Sequence, residues 1–290
     1  MSELDRTILE AWSLPPWPTA LSLLGLVLYW RGWRVLHRTR PQIFPTWRLM
    51  TFLGGLGVLY IALGSPLDAY DDVLLSVHMM QHLLLMSIVP PLLLLGYPMA
   101  PILRGLPRWA MRGGLHWVVA SRTLRRVGHT ITRPAFAWLV MITAFFGWHA
   151  PGPYELALRS ENWHDVEHAC FLVTSSLFWW PVIRPWPSLP RRPRWFLLPY
   201  LLSADIANTV LCALFVFSSH LFYPYYATVQ TPVPISPMQD QVAAGVLMWV
   251  FGSLPMLTAC VAVTVELLTP PRKTRPLYAG LAPRMAAHSK

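Results

Sequence analysis

Seven long apolar segments, roughly 16–36, 46–65, 73–96, 134–150, 163–183, 195–218 and 239–268, constrain this 290-residue chain more than any other feature. A helix needs about 20 predominantly apolar residues to cross the hydrocarbon of a bilayer. The fourth segment is short, and the seventh is long enough to begin outside the lipid. Lipid offers backbone groups no external partner, so continuous runs of this kind must be helical. The alternating ten-residue strands of a membrane barrel are absent. Charged residues make up only 12% of the chain, about half of soluble usage. The expected fold class is therefore an all-α, polytopic transmembrane helix bundle with seven spans.

The net charge of +10 could point to nucleic acid, but its distribution points to topology instead. Twenty-one of the 23 lysines and arginines fall in the connections after spans 1, 3 and 5 and in the tail; only Arg6 and Arg159 lie on the other side. Eleven of the 13 acidic residues lie on that other side or in the helix ends facing it, Asp205 and Glu266 being the exceptions. Basic loops stay cytoplasmic, so the expectation is an external N-terminus and a cytoplasmic C-terminus. Glu3, Asp5 and Glu10 precede the first apolar run and its arginines follow it, the pattern of a retained first span. The organisation expected is an external segment 1–15, a membrane domain 16–268 and a basic tail 269–290. Segment 97–133 mixes arginine with Leu, Trp and Val and is expected to lie on the anionic inner leaflet. Cys170, Cys212 and Cys260 are far apart and apolar in context, which argues against a disulfide framework or zinc ribbon.

Histidines in such a chain need a reason, because polar groups inside a membrane are costly and usually functional. His78 and His82 stand four residues apart in "SVHMMQHLLLMSIVPPLLLLG", so they share one helix face. "ENWHDVEHACFL" repeats the spacing with His164 and His168 at the start of span 5. His149 closes span 4, and His220 follows span 6. Six of ten histidines thus collect near one depth, below the outer surface. His37, His116, His129 and His288 lie among the cytoplasmic arginines and are expected to be solvated.

Met79 and Met86 flank His82. Thioether with imidazole favours copper, above all Cu(I), while a pure histidine set would also suit zinc. Two histidines on facing helices could instead hold a b-type heme. Span 6 carries Asp205, Asn208, Thr209 and Cys212 on one face; Asp205 is either a proton-accepting group, as a copper or proton transporter would use, or a paired structural one. Asp240 and Gln241 open span 7, where a carboxylate could orient a ligating imidazole. The run His164–Asp165–Val166–Glu167–His168 sets its acid one place away from the zinc-protease arrangement. Glu167 is expected to point off the histidine face, so hydrolysis is not expected.

Four blocks together, "HMMQHLLL" at 78–85, "WHAPGPYELAL" at 148–158, "HDVEHACFL" at 164–172 and "DQVAAGVLMW" at 240–249, resemble the polytopic CtaG family of cytochrome c oxidase assembly factors, described for oxidases with a fused cytochrome c (the caa3 type). The match covers roughly residues 50–268. The resemblance implies a non-enzymatic, chaperone-like role in maturing the oxidase's copper centres. Its partners would be oxidase subunits, other copper chaperones and the bilayer, with no nucleic acid. The expected ligands are His78, His82, His164 and His168, with His149 and His220 as further candidates. Met79, Met86, Gln81, Asp165, Glu167, Asp205, Asp240 and Gln241 would support them.

Overall fold

A computed structural model describes residues 11–110, 121–185, 193–231 and 233–269. Among these residues the chain is helical and holds no strand. Each of the seven expected segments is a helix: α1 (Pro16–Thr39), α2 (Thr46–Gly64, followed by the short α3, Pro66–Tyr70), α4 (Leu75–Leu95), α5 (Met99–Gly105), α6 (Arg122–Ile131), α7 (Pro134–His149), α8 (Pro151–Leu158), α9 (Glu161–Ile183), α10 (Leu197–Phe217) and α11 (Pro237–Leu268). The apolar segments correspond to α1, α2, α4, α7, α9, α10 and α11.

Five of these helices are long and apolar enough to cross a membrane, or six if α6 and α7, bent by 63° at their junction, make one span. The two segments that fall short do so for physical reasons. In α1 the apolar middle is squeezed between Pro16, Trp17 and Pro18 at one end and Arg31, Arg34 and Arg38 at the other. Helix α7 has only 16 residues, less than the hydrocarbon thickness requires.

Local sequence signals set the helix ends. Ser236 accepts a hydrogen bond from the Gln239 N–H while the Gln239 side chain accepts from the Ser236 N–H, and Pro237 occupies the first turn of α11. This reciprocal cap satisfies two N–H groups that the helix itself cannot. Helix α4 has no such local cap. Its acceptor comes from Asp240 on α11, whose carboxylate takes the N–H groups of Leu75 (2.6 Å) and Ser76 (3.2 Å). An anion at that position also meets the positive end of the helix dipole. The cap therefore ties α4 and α11 together at the same end of the bundle.

The middle of α4 is a π-helical turn, Leu84–Ile88, just before Pro90 and Pro91. Proline lacks an N–H and clashes with the carbonyl four residues back, which for Pro90 is Met86. The Met86 carbonyl instead accepts the indole N–H of Trp179 on α9 at 3.1 Å. Such turns recur at functional sites, and this one begins two residues after His82.

The larger core lies between α4, α7, α9, α10 and α11, around Met79, Leu83, Met141, Phe178, Leu201, Phe215 and Met248. A smaller one, formed by Tyr29, Trp33, Phe44, Leu49 and Phe52, joins α1 to α2. There Gly32 and Gly105 allow α1 and α5 to touch through their backbones: a Cβ on Gly32 would meet the Pro101 carbonyl oxygen at 1.8 Å, and one on Gly105 would meet that of Leu28 at 1.8 Å. Large apolar side chains remain exposed along the outer faces, including Ile206, Val210, Leu214 and Phe217 on α10 and Val261 and Val265 on α11. That pattern suits lipid rather than water.

Several expectations need correction. Segment 97–133 is not uniformly a surface element: α5 is packed against α1, with Pro101 and Gly105 buried, whereas α6 is largely exposed. Residues 111–120, with His116, lie outside the described residues, as do 1–10 and 270–290, with His288. His37 is not simply solvated. Its Nδ1 lies 2.8 Å from the Phe44 carbonyl oxygen and its ring stacks on Trp33, so it ties the end of α1 to the following turn. His129 is exposed, as expected. Glu266, the acid on the basic side, pairs with Arg194.

Candidate metal centre

Helices α4 and α9 bring their first turns together, and each presents its i, i+4 histidine pair to the other. His78 and His82 come from α4, and His164 and His168 from α9. The ring centroids of His78 and His82 lie 4.3 Å apart, those of His164 and His168 4.0 Å, His78 and His164 5.1 Å, and His82 and His168 5.5 Å. His149, at the end of α7, approaches His82 at 6.0 Å. Five of the six expected histidines therefore form one cluster. His220 does not join it. It is exposed in the loop after α10, where its carbonyl accepts from Gln241.

The expectation for Glu167 was wrong in direction. Its carboxyl is fully buried at the centre of the cluster, 3.8 Å from His78 Nε2 and 3.7 Å from His82 Nε2. The reason is helical geometry: Glu167 is three residues from His164, and i, i+3 neighbours share a face. Donor atoms of His78, His82, His164 and Glu167 all lie within 4.8 Å of one another. Two bonds of about 2 Å to a common ion would span a similar gap.

Both nitrogens of His78 and His82, Nε2 of His149, His164 and His168, and both oxygens of Glu167 are buried without a hydrogen-bond partner. These atoms are more than half of all such atoms among the described residues. Burying a polar group without a partner costs about 2–7 kcal/mol, and proteins pair over nine-tenths of their buried polar groups. Concentrating the exceptions at one point fits a site whose partner is a bound ion. The set, imidazoles with one carboxylate, suits Zn(II) or Cu(II) directly and leaves Mg(II) and Ca(II) poorly matched.

His149 is held differently. Its Nδ1 lies 2.7 Å from the Phe145 carbonyl oxygen. A carbonyl only accepts, so Nδ1 carries the proton and Nε2 keeps its lone pair. The Tyr223 hydroxyl in turn donates to the His149 carbonyl (2.8 Å).

A tyrosine layer closes the cluster toward the loops. Tyr154 stacks on Tyr223 at 3.8 Å and shares a 3.0 Å hydroxyl contact with Tyr226, which donates to the Asp71 carbonyl. Phe171 packs edge-on against His82 at 4.7 Å. Asp71 itself stands 3.6 Å from His164 Nε2. Burial, reinforced by Asp68 and Asp72, pushes its carboxyl up to about 8. His164 is the most accessible of the cluster histidines, and His78 is fully buried.

The remaining expected residues divide. Asp240 caps α4 and orients no imidazole. Gln241 accepts from the Phe222 N–H and donates to the carbonyls of Phe215 and His220, fixing the loop after α10. Gln81 donates to the Ala62 carbonyl and to Asp68, tying α4 to α2 and α3. All three support the scaffold rather than the ligands. Asp165 is exposed, one residue off the ligand face. Asp205 is half-buried on α10 outside the cluster, with Oδ1 unpartnered. Met79 and Met86 line a cavity that begins at His82. Sequence reasoning missed Asp71 and the tyrosine layer, although Tyr154 lies within the "WHAPGPYELAL" block.

Comparison with known proteins gives the context. The chain is 28% identical over 272 residues to uncharacterized proteins of Mycobacterium bovis and Mycobacterium tuberculosis, covering 89% of this chain and 40% of each relative. It is 25% identical over 242 residues to an uncharacterized protein of Mycobacterium leprae, covering 79% and 35%. The chain thus spans well under half the length of the curated relatives it matches. No solved structure matches it. The cytochrome c oxidase caa3 assembly factor family matches residues 27–269, well over half of the chain, and the protein belongs to that family.

Proposed function

We propose that this protein binds copper at the cluster of His78, His82, His164, Glu167 and His168, with His149 beside it, and helps insert the metal into a caa3-type cytochrome c oxidase. The observation that carries the reading is the group of unpartnered, buried imidazoles around Glu167. Family membership supplies the oxidase, and the metal itself is the cargo. In this reading the role is one of holding and passing on an ion. The partners are oxidase subunits and a copper donor.

Heme and zinc are the other metal readings. A b-type heme needs a flat slot between its axial histidines, and here the rings pack directly on one another and on Tyr154 and Phe171. Zinc fits the donor types as well as Cu(II), so metal content decides it. Protein purified from copper-replete cells is expected to contain copper and show no Soret band. Zinc alone, or a Soret band, would overturn the reading.

The same proposal includes seven spans in a bacterial plasma membrane, with the cluster near the outer face. The bias of arginine and lysine to one set of loops supports it. A reporter active only outside the cytoplasm should work when fused within residues 222–236 and fail when fused at Lys290. Activity at Lys290 would place the cluster on the wrong side.

A further inference from the structure

We propose that the cavity directly below the histidine cluster is a second, thioether-lined station for a soft monovalent ion, Cu(I), separate from the imidazole–carboxylate group above it. The inference rests on the copper reading and adds to it the oxidation state and a second position.

The cavity is small, about 50 Å³, and runs from His82 and His149 between α4, α7, α9, α10 and α11. Five of the chain's 12 methionines line it: Met79 and Met86 from α4, Met141 from α7, and Met248 and Met256 from α11. Met79, Met141 and Met248 are buried to 5% exposure or less. Methionine commonly fills gaps in cores. Here, however, methionines of three helices line one cavity that His82 and His149 also border.

His149 supplies the second, independent observation. Its proton is fixed on Nδ1 by the Phe145 carbonyl, so the lone pair on Nε2 is available. That nitrogen is buried, unpartnered and outside the His78–His82–His164–Glu167 group, and the ring forms part of the cavity wall. Neutral thioethers with one imidazole form a soft donor set that selects Cu(I). The group above, with its carboxylate, suits a harder divalent ion. His82 borders both, so the two stations are contiguous.

The test uses the full-length, metal-free protein in detergent, titrated with Ag(I) as a redox-inert probe and separately with Cu(II). The test variant is Met141→Leu/Met248→Leu, a nearly volume-conserving change that well-packed sites tolerate. Wild type is expected to bind one more equivalent of Ag(I) than this variant, with sulfur scatterers in its silver X-ray absorption spectrum that the variant lacks. Cu(II) uptake should be the same in both, which also confirms folding. His149→Asn should weaken Ag(I) at least tenfold. Equal Ag(I) stoichiometry in wild type and the methionine variant, or no sulfur scattering in wild type, would overturn the inference. The latter would leave the cavity to lipid or detergent. If wild type took up Ag(I) with sulfur ligation but no Cu(II), the histidine reading would fail and the methionine station would stand.

Discussion

Cells lacking this protein and grown at limiting copper are expected to keep the oxidase subunits in their membranes but to lose most of the copper those subunits carry, with oxidase activity falling in proportion. The cluster explains why a delivery site is needed. A free ion at low concentration loads a deep site slowly, whereas a preformed set of donors holds it at high local concentration. Extra copper in the medium should restore part of the activity by mass action. His82→Ala should reproduce the deletion, because His82 belongs to the four-residue donor group and also borders the methionine cavity. Quantifying copper per oxidase in purified membranes checks this. A deletion strain with full oxidase copper would remove the assembly role.

The second large effect separates function from stability. Glu167 is fully buried, and both of its oxygens lack a hydrogen-bond partner. In the metal-free protein this costs free energy, and replacing such a group by an apolar one of similar size is often neutral or stabilising. Glu167→Leu is therefore expected to raise the stability of the metal-free protein by about 1–3 kcal/mol, seen as a higher unfolding midpoint in detergent. The same change should abolish copper retention. A structural role for Glu167 predicts the opposite, a marked loss of stability with binding intact. Measuring both quantities on one preparation distinguishes the two.

Much of the architecture was legible because a membrane imposes simple rules. Apolar runs marked every major helix, since lipid forbids other backbone solutions. The i, i+4 spacing put each histidine pair on one face, and the alternation of basic loops put both pairs at one end of the bundle. What failed had local causes. Glu167 lies off the i, i+4 row of His164 and His168, yet its i, i+3 relation to His164 brings its carboxyl inward. Asp240 looked like an orienting carboxylate, yet Leu74 leaves α4 without a local cap and Asp240 fills that gap from 165 residues away. No periodicity reveals a contact of that separation. His220 sits past the end of α10, exposed in the following loop. The cavity was only half visible: Met79 and Met86 stood out beside His82, whereas Met141, Met248 and Met256 became relevant only once three helices were packed.

The central claim is that the two histidine pairs act as one copper site. Removing one imidazole from a shared site loses most of the affinity, so a second removal adds little. The most direct measurement is the copper content of purified wild-type protein, His78→Ala, His168→Ala and the double variant, with His129→Ala as an exposed control. The account predicts bound copper in wild type and in the control, strong loss in each single variant, and no further loss in the double. Independent, additive losses, or full copper in the double variant, would contradict it.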